Sequence, residues 1–189
     1  MRKIIASTFL SVDGFIVGPN EDMSWVMENF NDEMAHYAGD LMSSMDTVLL
    51  GRVTYEIMAR AWPNMTEESS PGADTMNAVP KVVVSSTLTA APWGTYGNVR
   101  LVKDDLAQAI TALKEQPGKN IVIYGSATLV RGLTRLGLID EYHLLIHPIV
   151  LGSGKPLFAG LDHAVKLTLL HSESFANGVV VSRYAPVRG

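Results

Sequence analysis

Two short segments of this chain carry residue types that can hold a phosphate. They are Leu50-Gly51-Arg52-Val53-Thr54 and Tyr124-Gly125-Ser126-Ala127-Thr128. Each follows an apolar, β-branched run and opens a stretch with helical spacing, so each sets a glycine where a strand passes into a helix. A helix N-terminus exposes unpaired N–H groups and the positive end of the dipole. Glycine there lets an oxyanion approach the backbone. Thr54, Ser126 and Thr128 add hydroxyl donors, and Arg52 adds a fixed charge suited to a phosphate or 2′-phosphate. The plainer reading is that Gly and Ser simply make turns and caps. Two such junctions on adjacent parallel strands favour a nucleotide. Neither matches the Walker pattern or the three-glycine dinucleotide fingerprint, which disfavours those two folds.

Other candidates are weaker. Ser85-Ser86-Thr87 follows a buried run, and its hydroxyls suit a phosphate or ribose as well as they suit a polar turn. Asp13 lies in the loop after the first strand, where it either touches substrate or bonds its own turn. His143 and His147 are four apart, the metal spacing of a helix, but Tyr142–Val150 reads as a strand and Pro148 follows. No acid is placed as a third ligand, so no metal is expected. There is no Gly-x-Ser-x-Gly elbow to support a hydrolase.

Composition narrows the classes. The chain has 189 residues, a net charge of −4, 47% hydrophobic residues and no cysteine. This predicts one domain spanning 1–189 with ample core material and neither disulfides nor thiolate metal sites. Lys and Arg are scattered, so a nucleic-acid partner is not expected. The basic start at Arg2-Lys3 lacks the long apolar core of a signal peptide, and no stretch approaches membrane-spanning length. A cytoplasmic protein with no membrane partner is the expectation.

The elements that must position these residues alternate. Strands are expected at 3–10, 47–50, 82–85, 99–102, 121–124 and 141–150. A helix capped by Asn31 or Asp32 carries Met34, Ala38, Leu41 and Met45 at helical spacing. A short helix runs through Ala59, another starts at Asp104 or Asp105, and a third covers 126–136 with Gly137 as its stop. Residues 11–24 and 61–80 read as loops. Met34, Met42, Met45 and Trp93 are expected in the core. Asn177-Gly178 joins 165–175 to 179–185 as a tight hairpin. The pattern predicts an α/β fold: a mainly parallel sheet with helices on both faces and a C-terminal antiparallel hairpin.

Taken together the motifs resemble the dihydrofolate-reductase-like superfamily, a three-layer α-β-α fold. The branch is similar to the reductase domain of the bifunctional riboflavin-biosynthesis deaminase/reductase and its stand-alone relatives. The carrying residues are Ser11-Val12-Asp13-Gly14, Leu49 through Thr54, Ser85-Ser86, Tyr124 through Leu129, Leu136 through Glu141, and Pro148 through Phe158. They span nearly the whole chain, and the last block is the most specific. The resemblance implies an NADPH-dependent reductase. Gly51, Arg52 and Thr54 would sit on the cofactor's phosphates, and Ser85 and Ser86 near the adenosine 2′-phosphate. Gly125, Ser126, Ala127, Thr128 and Leu129 would cover the pyrophosphate and nicotinamide side. The backbone of Thr8 and Phe9, with Ile16, would line the nicotinamide. A homodimer paired through sheet edges and the C-terminal hairpin is implied as well.

The same resemblance leaves the substrate open. Riboflavin-pathway reductases carry a lysine where Ser7 stands and a glutamate where Tyr124 stands. Dihydrofolate reductases need an acid on the first helix, for which Asp32 or Glu33 is the candidate. Their plainer role is helix capping and a solvated first-turn charge. Reduction of a phosphoribosyl-pyrimidine, reduction of dihydrofolate, and a nucleotide-binding module with little catalysis all stay open.

Overall fold

The computed structural model describes residues 1–188. In chain order its elements are β1 (Ile4–Ser11), β2 (Phe15–Val17), α1 (Ser24–Glu28), α2 (Asp32–Ser43), β3 (Met45–Gly51), α3 (Arg52–Ala61), α4 (Ala73–Ala78), β4 (Lys81–Val84), β5 (Val99–Val102), α5 (Leu106–Glu115), β6 (Asn120–Tyr124), α6 (Ala127–Arg135), β7 (Glu141–His147), β8 (Lys155–Pro156), β9 (Leu167–Ser174) and β10 (Val180–Pro186). Eight strands form one sheet in the order β5-β4-β3-β6-β1-β7-β10-β9. The six from β5 to β7 run parallel, and β10 and β9 are antiparallel.

The apolar runs follow from this topology. A central parallel strand is covered on both faces, so successive residues must all be apolar. In β1, Ile4, Ala6 and Leu10 pack on one face with α5 and α6, while Ile5 and Phe9 pack on the other with α2, α3 and α4. Trp93, Met34 and Met45 are buried as the sequence predicts, and Met42 packs at the edge of the same core. The three-layer α/β fold with a terminal hairpin is thereby borne out. Asn177-Gly178 makes the hairpin turn: Gly178 takes φ 84°, and Asn177 Oδ1 accepts from Val179 N–H at 3.1 Å.

The differences are local. The segment 61–80 is not all loop, since it contains α4, and 11–24 contains β2, which pairs with β8. The strand expected to reach Val150 stops at His147, because Pro148 has no N–H to continue the ladder. Met45 begins β3 instead of ending α2, for Ser44 closes the helix and its hydroxyl donates to the Leu41 carbonyl at 2.7 Å.

Candidate functional site

The carboxyl ends of β3 and β6 lie side by side, with Leu49 opposite Ile123. Each strand turns directly into a helix, α3 on one face of the sheet and α6 on the other. Two helix N-termini therefore converge at the carboxyl end of the sheet's central strands. Neither is closed by its own side-chain cap. Their first-turn N–H groups keep the capacity to meet an anion.

Ser126 joins the two junctions. Its Oγ accepts the Gly51 N–H at 3.1 Å and donates to Thr54 Oγ1 at 2.7 Å. Gly125 and Ser126 both take left-handed backbone, φ 58° and 55°. For Ser126 that conformation costs roughly 1–2 kcal/mol, offset by the two hydrogen bonds. The Gly125 N–H donates to the Ser7 carbonyl at 3.1 Å, which ties the junction to β1. A Cβ on Gly51 would stand 3.3 Å from Ser126 Oγ and 3.6 Å from Leu129 Cβ, so a side chain there would push on the brace.

Beside this junction β1 presents Thr8, one residue past the pair Ser7–Tyr124. Thr8 is buried and its Oγ1 has no hydrogen-bond partner in the protein. A buried hydroxyl without a partner is costly unless something else engages it. Leu129 and Ile16 are buried in the core on the α6 face, Phe9 is half-buried on the opposite face, Ala127 is buried in the first turn of α6, and Thr128 is exposed there.

Several predicted residues have other partners. The Arg52 guanidinium pairs with Glu56 one turn along α3, at 3.1 and 3.2 Å. Ser85 Oγ accepts from the N–H groups of Thr87 and Leu88 at 3.2 and 3.1 Å, so it forms the turn that leaves β4, while Ser86 is exposed. Both lie one strand outward from Gly51. Asp13 accepts from Ser11 Oγ at 2.6 Å and from the N–H groups of Leu151 and Gly152 at 3.2 and 2.7 Å. The Ser11 hydroxyl, with these amides, holds the Asp13 carboxyl below its usual range. Asp13 thus clasps the loop after β1 to the loop after β7. Asp32 is exposed in the first turn of α2, and its neighbour Glu33 accepts the Ala176 N–H at 2.7 Å at the β9–β10 turn. The first turn of α2 is thereby held at the β9–β10 turn.

Two further groups stand near these ends, Lys103, which no motif marks, and His147, which the sequence marks only as half of a metal-spaced pair. Lys103 is exposed just past β5 and follows Val102, whose carbonyl accepts the Ser85 N–H at 2.9 Å, so an exposed cation follows the strand that pairs with β4. His147 is 1% exposed at the end of β7 and neither ring nitrogen has a partner in the protein. Its ring meets the edges of Phe9 and Trp25, with centroids 5.6 and 5.0 Å away. Burial pushes its pKa down, which keeps the imidazole neutral. Strand pairing gives the place of each, since β5 lies beside β4 and Ser11 stands opposite His147. His143, by contrast, is engaged at both nitrogens, by Tyr37 Oη at 2.7 Å and Glu141 Oε2 at 3.1 Å. Among the described residues no three His, Asp or Glu side chains gather as a metal site, and no helix is long and apolar enough to cross a membrane.

This architecture has close relatives. The protein YyaP of Bacillus subtilis (strain 168) is 30% identical over 181 residues, covering 95% of this chain and 92% of YyaP. The structure of a candidate riboflavin-biosynthesis protein from Shewanella sp. PV-4 superposes with a TM-score of 0.82 at 24% identity, covering 98% of this chain and 99% of that one. The fold also matches dihydrofolate reductase from Enterococcus faecalis, solved with NADP(H), at a TM-score of 0.62 and 13% identity over 98% of this chain and 97% of that one. The sequence profile of the RibD C-terminal domain matches residues 2–181. With the braced double junction and this match over almost its whole length, the chain belongs to the RibD C-terminal domain family.

Proposed function

We propose that the protein is an NADPH-dependent reductase of a small heterocyclic substrate. One observation carries the reading: two uncapped helix N-termini are braced together by Ser126, next to the buried, unpartnered hydroxyl of Thr8. Two adjacent anion seats suit a pyrophosphate, and a hydroxyl lacking a partner suits a ligand that supplies one. Family membership supports a reductase-like function. NADPH, when bound, supplies the hydride. The protein's own part is to hold the two ends in register and keep water from the reacting face.

In this reading Gly51, Thr54, Gly125, Ser126, Ala127 and Thr128 meet the pyrophosphate. Thr8, Phe9, Ile16 and Leu129 border the nicotinamide. Ser86 with Lys103 takes the adenosine 2′-phosphate more readily than Arg52, whose charge is already paired with Glu56. Asp13 acts as a positioning residue through its clasp.

The test is NADPH and NADH binding followed by protein-fluorescence quenching. The reading expects NADPH to bind at least 10-fold more tightly than NADH. Lys103→Ala should erase most of that preference, and Arg52→Ala should leave most of it. Absence of NADPH binding would overturn the reading. A second reading, a nucleotide-binding module with little turnover, is favoured by the engagement of Asp13 in its own clasp and by Tyr124 and Ser7, which bring no charge to the sheet. Tight NADPH binding without oxidation of any pyrimidine or pterin tested would decide for it. Turnover of dihydrofolate would instead assign the pterin reaction, with Asp32 as the acid to examine.

A further inference from the structure

Building on the NADPH reading, we infer that Arg131 is the cation that meets the cofactor's pyrophosphate. A diphosphate bridge carries two negative charges, and two helix N-termini return only about half a charge each. Arg52, inside the first junction, does not supply the difference, because it is paired with Glu56 at 3.1 Å. Lys103 follows β5, and β4 and β3 stand between β5 and β6. Three strand spacings are about 14 Å, longer than the screening length of about 8 Å at physiological salt.

α6 supplies a charge from its own second turn. Arg131 follows Ala127 by four residues and Thr128 by three, so all three share one side of the helix. Helical side chains lean toward the N-terminus, which lays the guanidinium over the first turn. Its Nη2 stands 3.5 Å from Thr128 Oγ1, and its Nη1 donates to the Pro156 carbonyl at 3.2 Å. Among the described residues it has no carboxylate partner, whereas Arg135, one turn further along, faces Asp162 at 3.6 Å. A guanidinium presents its N–H donors as a planar fork. Those not directed at Pro156 and Thr128 are free for the oxygens of a diphosphate, which accept such a fork in bidentate fashion.

The contact with Pro156 gives the same group a second task. Pro156 belongs to β8 and stands opposite Phe15 of β2, and the Leu157 N–H donates to the Gly14 carbonyl at 3.0 Å. β2 carries Ile16, which borders the nicotinamide in this reading. One guanidinium therefore touches both the helix that seats the phosphates and the ribbon beside the nicotinamide. Lys155 is the other cation of this ribbon. It stands opposite Val17 and makes no hydrogen bond to α6 among the described residues, which suits it as a control.

The experiment titrates the intact protein with NADPH, NADH and adenosine 2′-phosphate, which lacks the diphosphate. Arg131→Gln should weaken NADPH and NADH by the same factor, about 10-fold, so the preference between them survives. Adenosine 2′-phosphate should bind as it does to the parent. Raising NaCl from about 0.05 to about 0.5 M should shrink the gap between parent and variant, since salt screens a charge and not a packing contact. Arg131→Lys keeps the charge without the fork and should fall between the two. Lys155→Gln should cost less NADPH affinity than Arg131→Gln. In the parent protein the Arg131 side-chain ¹⁵N signal should shift when inorganic pyrophosphate is added, a readout that needs no variant. A parent that does not bind NADPH overturns the reductase reading and this inference with it. Where the parent binds NADPH, four results overturn the inference alone: an unchanged affinity in Arg131→Gln, a loss indifferent to salt, a larger loss in Lys155→Gln, or an unshifted Arg131 signal at saturating pyrophosphate.

Discussion

Ser126 is the residue on which the site's geometry depends. Its hydroxyl makes two hydrogen bonds across two elements, and its backbone is left-handed. Ser126→Ala removes the brace and keeps the same left-handed backbone cost, so its effect isolates the hydroxyl. The expected result is a loss of roughly 1 kcal/mol of stability in urea melts and a fall of about 10-fold in NADPH affinity, one tenfold step being 1.4 kcal/mol. Lys81 gives a pH prediction. It is fully buried, donates to the Asn77 carbonyl at 2.7 Å and stacks on Trp93, and burial lowers its pKa from 10.5 to about 8. Between pH 8 and 10.5 the folded protein has released this proton and the unfolded chain has not, so stability rises with pH through that window. The rise is of order 3 kcal/mol. Tyr37, pushed by burial from 10.0 up to about 12, acts in the opposite sense above pH 10. Lys81→Met should therefore flatten the urea-midpoint profile between pH 8 and 10. His147→Phe removes two buried nitrogens that lack partners and should raise stability by about 1 kcal/mol.

At the scale of elements, what was legible in the sequence is what repeats over several residues. Six parallel strands show as continuous apolar runs because both faces are covered, and α2, α5 and α6 show as stripes. The short pieces did not show. β2 has three residues, and α1 and α4 have five and six, fewer than two turns. Such pieces are held by tertiary contacts, Trp25 against His147 for α1 and buried Met76 for α4, and local propensity says little about them. The site divides the same way. The glycine junctions could be read because a strand–Gly–helix passage is local. The turn made by Ser85 was one of the two roles its position allowed, and the Arg52–Glu56 pair is likewise local, but the engagement of Asp13 by residues 138 and 139 positions away could not be read. At this scale the prediction concerns the anion seats. Gly51→Asp places a carboxylate against the brace and between two helix N-termini, and should abolish NADPH binding while the far-ultraviolet circular dichroism stays unchanged.

For the whole molecule, the sheet ends unevenly. At one edge β9 is exposed along its full length, and Leu167, Leu169 and Leu170 face solvent. A long edge strand with apolar side chains on both faces invites pairing. A homodimer through this edge is the expectation, checked by light scattering: the protein should run at twice its 20.5 kDa mass, and a Leu169→Lys, Leu170→Lys double variant at the single mass. The Asp13 clasp, finally, has a consequence for synthesis. It binds the loop after the first strand to amides that the ribosome delivers almost 140 residues later. Those amides reach Asp13 only once β7 has docked on β1, a pairing of high sequence separation and therefore slow. A nascent chain carries the β3–β6 junction, complete at Thr128, before it carries Leu151 and Gly152, which close the loop beside β1. Cofactor-binding competence should thus arise in two stages during translation, the phosphate seats first and the nicotinamide border last.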